Sequence, residues 1–137
     1  MSAVPLSDHE LAAAEAALGR RLPEDYASLL RRHDGLADFV GEAYLDLWPL
    51  PEVVARNADE EPGNYLQEQH PGILVVGSNG GGECLAYDLR RTPLPVLLVN
   101  KLSSGWHEAC WQADSIDDMF DDLRAGGSLR FDSGYGG

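Results

Sequence analysis

The first apolar positions of the chain recur at helical spacing. Leu11, Ala14 and Leu18 share one face of a helix expected from Ser7 to Gly19. Ser7 is a suitable N-cap, and Glu10 three residues on completes a capping box, with Leu6 and Leu11 at the staple positions around it. Gly19 stops that helix. A second helix follows at once. Pro23 suits its first position, and Glu24 and Asp25 favour its positive end. Tyr26, Leu29, Leu30 and His33 keep the i, i+3, i+4, i+7 stripe as far as Gly35.

Beyond Gly35 the pattern changes. Ala43 to Leu47 reads as a short strand, and Leu50 to Arg56 as a short helix opened by Pro51. Residues 57–71 are polar, acidic and turn-rich, which predicts a long surface loop. Four strand signals follow, at 72–77, 83–88, 95–100 and 106–111. The first and third are continuously apolar, as buried central strands are. Their short connections favour an antiparallel meander over crossover helices. A last helix runs from its N-cap Ser115 to about Ala125, with Ile116, Met119, Phe120 and Leu123 as its apolar stripe. The expected fold is α+β: a mainly antiparallel sheet of about four to six strands, with two N-terminal helices and a C-terminal helix packed on it. Residues 1–126 form one domain, and 127–137 a Gly-rich tail in which Leu129 to Asp132 offers a possible edge strand.

Charge narrows the function classes. Ten Lys and Arg stand against 23 Asp and Glu, a formal net charge of −13 over 137 residues. Phosphate backbones and anionic membranes repel such a chain, so neither nucleic acid nor membrane is an expected partner. A basic protein would be attracted and steered in. The first eleven residues hold no Lys or Arg and no apolar stretch to mark an export signal, so a cytoplasmic location is the expectation. Cys84 and Cys110 are too few for a disulfide scaffold and read as small core residues.

No catalytic or cofactor chemistry emerges from the residues. The glycine loop at 77–82 is followed by Glu83 and a strand, where a phosphate-binding loop needs a lysine and a helix, so it reads as a hairpin turn. His107 and Cys110, with Cys84 and His70, lack the paired spacing of a structural zinc site. Ser103 and Ser104 lie near His107, but no nucleophile elbow frames them. Trp48, Trp106 and Trp111 are either core residues or interface anchors.

Two blocks of sequence resemble a known family. Leu18-Gly19, Leu22-Pro23-Glu24-Asp25-Tyr26, Leu29-Leu30 and Asp34-Gly35 follow the run "LG-x-x-LP-x-x-Y-x-x-hL-x-x-x-x-G" that typically opens members of the SUKH superfamily, of the Smi/Knr type. Ile73 to Gly77, Gly80-Gly81-Gly82-Glu83 and Tyr87-Asp88 resemble that family's second block, a strand, glycine turn and strand. By order of elements the resemblance spans Leu6 to Leu123. It implies a helix-on-sheet α+β fold and a non-enzymatic role. Bacterial members are commonly immunity proteins against polymorphic toxins, and fungal members regulate cell-wall synthesis through protein contacts. The resemblance places no interface residue, and it brings neither metal nor cofactor.

The acidic clusters give the interface candidates. Between Gly35 and Ala55 there is no cation, yet Asp38, Glu42, Asp46 and Glu52 are present, and Trp48 lies among them. Asp59-Glu60-Glu61 sits in the expected loop. In the last helix, Asp117 and Asp118 favour the N-terminal dipole, whereas Asp121 and Asp122 lie where it does not help them. The pairs 117/121 and 118/122 also repel at i, i+4 spacing, and Arg124 relieves only part of this. The expected function is neutralisation of a cognate toxin, or another basic protein, by an acidic surface carrying Asp38, Glu42, Asp46, Trp48, Asp117, Asp118, Asp121 and Asp122. The alternative is a regulatory or scaffolding protein of the same fold that binds a host protein. Oligomeric state is left open.

Overall fold

A computed structural model describes residues 6–57, 65–132 and 135. Its elements in chain order are α1 (Asp8–Leu18), α2 (Glu24–Leu30), β1 (Leu36–Val40), β2 (Ala43–Leu47), α3 (Leu50–Arg56), α4 (Tyr65–Gln69), β3 (Ile73–Ser78), β4 (Glu83–Asp88), β5 (Val96–Asn100), a 3-10 turn (Trp106–Glu108), β6 (Cys110–Ala113) and α5 (Ile116–Arg124). The six strands form one antiparallel sheet in sequence order. The expected α+β architecture is the observed one.

Local chemistry sets the helix ends. The Ser7–Glu10 capping box forms with both reciprocal bonds, and Gly19 takes the left-handed conformation that closes α1. A carboxylate from elsewhere caps α3: Asp34 accepts the Leu50 amide at 2.7 Å. Asp25 of α2 does the same for α5, accepting the Ile116 amide at 2.6 Å and the Tyr87 hydroxyl at 3.0 Å. That one side chain thus ties α2, β4 and α5 together. Burial, followed by the nearby Asp25 charge, pushes the Tyr87 hydroxyl well above its usual pKa.

The core lies between the sheet and its helices. β3, β4 and β5 are buried along nearly their whole length, as the continuous apolar runs of β3 and β5 predict for those two. The β2–β3 ladder is short, with Asp46 opposite Ser78 and Leu47 opposite Gly77. Beyond it the outer edge of β3 is closed by other groups. Trp48 donates its amide to Val76, Asn57 bonds both polar backbone groups of Val75, and Arg20 reaches the Ile73 carbonyl. Buried backbone groups need partners, and these side chains supply them where the neighbouring strand has ended.

Several elements differ from expectation. β1 carries no alternating signal because Ala37, Asp38 and Phe39 are all exposed and only its end residue Val40 is buried. The second helix ends at Leu30, and His33 is exposed. The 106–111 segment starts as a 3-10 turn, so its strand begins only at Cys110. Burial of Trp106, whose indole donates to the Pro71 carbonyl at 2.9 Å, holds that turn in place. The 57–71 stretch is not all loop: it contains α4 and the buried His70, while Asp59, Glu60 and Glu61 lie outside the described residues. Leu129 to Asp132 form no strand. Arg130 instead bonds the Gln112 carboxamide through its own backbone amide and carbonyl.

Candidate functional site

The β1–β2 hairpin turns through Gly41 and Glu42, with Val40 opposite Ala43. Gly41 sits at φ +61°, as the first position of a type II′ turn requires. It also lies hard against the Leu123 carbonyl at the end of α5, where a Cβ would overlap that backbone. Glycine is therefore needed here twice over, and the contact seats the hairpin tip on the last turn of α5.

Strand alternation divides the hairpin's side chains. Val40, Leu45 and Leu47 are buried in the core, while Phe39 and Tyr44, opposite one another, project from the other face. Their rings meet edge to face at 5.4 Å and stay exposed, Phe39 at 64% and Tyr44 at 36%. The glycine turn after β3 makes room for them: a Cβ on Gly80 would come within 3.0 Å of the Tyr44 ring. The turn is closed by its own bonds, with Asn79 donating to the Glu83 carboxylate and accepting the Gly81 amide. Of its glycines, Gly80 is the one that lies against the aromatic ring.

Three of the acidic candidates stand on this hairpin. Asp46 shares the Phe39–Tyr44 face, Glu42 is at the tip, and Asp38 is at the outer edge, where its carboxylate accepts the Phe39 amide at 2.7 Å. Among the described residues, none of the three has a cation within ion-pair distance.

The α5 candidates differ. Asp117 lies 3.8 Å from Arg32 of the α2 end, Asp121 4.0 Å from Arg124, and the half-buried Asp122 3.6 Å from Arg130 of the tail. Asp118 is exposed, and its backbone amide is capped by Ser115. The repulsion expected along this helix is thus relieved by two arginines distant in sequence. Among the described residues, the candidates without a cation within ion-pair distance are the three of the hairpin and Asp118. Trp48 is buried beneath Arg56, whose guanidinium lies 4.4 Å from its ring, so it is unavailable as an anchor. Trp111 is the exposed tryptophan, at 40%, and Arg130 covers one side of it.

The residues weighed for catalysis or metal binding are held in structural contacts. Ser103 pairs with buried His70 and not with exposed His107: His70 Nε2 lies 2.7 Å from Ser103 Oγ, and Nδ1 lies 3.0 Å from the Leu66 carbonyl. Burial lowers the pKa of the His70 ring. Nδ1–H then donates to Leu66, and the serine hydroxyl is donated to Nε2. This pair is fully enclosed, with Trp106 edge-on to the imidazole, so it ties α4 to the β5–β6 loop. Among the described residues, no three His, Cys, Asp or Glu side chains converge as metal ligands. Cys84 is buried and Cys110 half-buried, and burial raises both thiols above their usual pKa. A pocket of about 410 Å³ beside Arg20 and Arg21 also includes Glu24, which opposes an anion there, and Arg20 is committed to Ile73.

The sequence pointed to Asp38, Glu42 and Asp46 through an absence of cations, but missed Phe39 and Tyr44. The only signal was two aromatics flanking Val40-Gly41-Glu42-Ala43, and it becomes legible once Gly41 is recognised as a hairpin turn.

No curated protein matches the chain. A family model does, that of the SMI1 / KNR4 family (SUKH-1), over residues 5–122. The match takes in every strand of the sheet, the glycine turn and most of α5. No helix among the described residues is long and apolar enough to cross a membrane. The chain belongs to the SMI1 / KNR4 family (SUKH-1), a family of non-catalytic protein-binding domains.

Proposed function

We propose that this protein is a cytoplasmic immunity protein that neutralises a cognate toxin by covering its active site with an acidic surface. The observation that carries this reading is the hairpin: among the described residues Asp38, Glu42 and Asp46 have no cation within ion-pair distance, and two exposed aromatic rings stand among them. Aromatic anchors with a charged surround are the usual composition of a protein-binding hot spot. The net charge of −13 selects a basic partner and accelerates its approach. Asp117, Asp118 and Asp121 extend the same charge along α5, whose end the hairpin tip touches. An enzyme that acts on nucleic acid carries arginines and lysines in its substrate cleft. A carboxylate-bearing hairpin seated there blocks the substrate by occupying the same cations.

Capture of partners from the source cell with the full-length protein, read by mass spectrometry, is the direct test. The expected partner is a basic toxin domain whose association rate falls about tenfold or more as salt rises from ~0.05 to ~0.5 M. Asp38→Asn combined with Asp46→Asn is expected to slow association further. A complex indifferent to salt and to these substitutions overturns the acidic-surface mechanism.

A further inference from the structure

We propose that the outer edge of β1 is a docking edge for an extended, arginine- or lysine-bearing segment of the partner protein, which adds to the sheet as a seventh strand. This rests on the reading that the partner is a basic protein. It goes beyond it by naming the backbone groups that bind and the form the partner segment takes.

The geometry of the hairpin exposes those groups. In a hairpin with a two-residue turn the closing pair, here Val40 and Ala43, exchanges backbone hydrogen bonds. The pairs then alternate, so Phe39 opposite Tyr44 and Ala37 opposite Asp46 are non-bonded pairs. The polar backbone groups of Ala37 and Phe39 therefore point away from β2, toward the outside of the sheet. Among the described residues, only Asp38 reaches any of them, its carboxylate accepting the Phe39 amide at 2.7 Å.

The opposite edge is treated differently. Gln112 of β6 bonds the backbone of Arg130 with both ends of its carboxamide, Arg130 returns a bond to the Gln112 carbonyl, and Tyr135 donates its amide to Ala109. The chain closes that edge with its own tail, whereas among the described residues no other strand or tail bonds the outer edge of β1.

Asp38 decides what can pair with β1. Its charge at the middle of a five-residue edge strand sets β1 against β1 of a second copy, because antiparallel pairing would bring two carboxylates together. An incoming cationic strand has the opposite effect. Its carbonyl takes the Phe39 amide while its arginine or lysine takes the Asp38 carboxylate, so the capping bond is exchanged and neither group is left unpaired. The residue that comes to lie beside Phe39 shares the face of Phe39, Tyr44 and Asp46. A guanidinium there stacks on the exposed Phe39 ring.

The test uses the full-length protein and an acetylated, amidated seven-residue peptide of alternating arginine and threonine. Two control peptides accompany it, one N-methylated at alternate amides and one with glutamate for arginine. The readout is amide chemical shift and hydrogen exchange by nuclear magnetic resonance. Strand addition predicts saturable shifts centred on Ala37 to Val40, slowed exchange at the Phe39 amide, and binding about tenfold or more weaker for the N-methylated peptide. Ala37→Pro removes an outward-facing amide that an edge strand can spare, and is expected to keep the fold and lose the peptide. Equal binding of the N-methylated peptide, or shifts centred on Asp117 to Asp122, overturns strand addition but leaves the acidic-surface reading standing. No binding of the arginine peptide overturns strand addition too, while partner capture still tests the broader reading. Binding of the glutamate peptide at β1 overturns the role given to Asp38.

Discussion

The two edges of the sheet solve the same problem in opposite ways. An edge strand offers unpaired amides and carbonyls to any passing chain, and a folded protein must cover or discourage that offer. At β6 the cover is covalently part of the molecule: Arg130 and Tyr135 bond along the strand, and Tyr135 is further held by Asp88, Arg91 and Trp106. At β1, among the described residues, only the Asp38 carboxylate bonds an outward-facing backbone group. A covered edge contributes to stability, whereas an edge guarded by charge is selective. Substitutions on the β6 side are therefore expected to cost stability, and those along β1 to cost binding.

The largest stability effect is expected at Asp88. It is fully buried and accepts bonds from Arg90, Arg91 and Tyr135. Asp88→Ala strands two arginines and frees the tail, so a loss of about 3 kcal/mol in urea denaturation is expected. Acid probes the same side. Burial alone would lift the Asp88 carboxyl, but bonds from Arg90 and Tyr135 outweigh it and hold the pKa below the ordinary 3.8. A depressed carboxyl supports the fold above its unfolded pKa, and that support is lost as pH falls through the folded value. His70, kept neutral by burial, adds an earlier loss that begins as pH drops below 6.5, where the unfolded ring takes up a proton. Stability measured against pH should therefore decline in two stages, with the upper one absent in His70→Gln.

Gly41→Ala comes next, at about 2 kcal/mol, because both its positive φ and its contact with the Leu123 carbonyl reject a side chain. This is the one position at which the β1 side is expected to be costly, since it seats the hairpin on α5. Gln112→Ala should cost about 1 kcal/mol and speed amide exchange along β6. Phe39→Ser should change thermal stability by less than about 0.5 kcal/mol while weakening partner capture. A stability loss at Phe39 as large as that at Gln112 would erase the distinction between the edges.

Much of the fold was legible because it is written in local signals. The Ser7–Glu10 box, the stripe of Ile116, Met119, Phe120 and Leu123, and the apolar runs of β3 and β5 each carry their own period. What escaped depends on distant partners. β1 buries too little to show a pattern, and the 3-10 turn at Trp106 exists because Pro71 accepts the indole. The site followed the same division. A stretch without cations is visible in sequence, but the relief of Asp117 and Asp122 by Arg32 and Arg130 requires the folded chain. Asp121 and Asp122 both stand where the helix dipole does not help them, yet Asp122 is half-buried beside the tail, 3.6 Å from Arg130.

The short β2–β3 ladder has a consequence for which substitutions such a protein tolerates. Only Asp46–Ser78 and Leu47–Gly77 join the hairpin to the rest of the sheet, and β3 satisfies its remaining edge through Trp48, Asn57 and Arg20. Beyond those two pairs, the central strands do not depend on the outer hairpin for their own hydrogen bonding. The outward residues of β1 can be substituted without removing a bond that the core strands use. The hairpin is thus separable from the strands it borders, with Gly41 seating its tip on α5 and Gly80 leaving room for the Tyr44 ring.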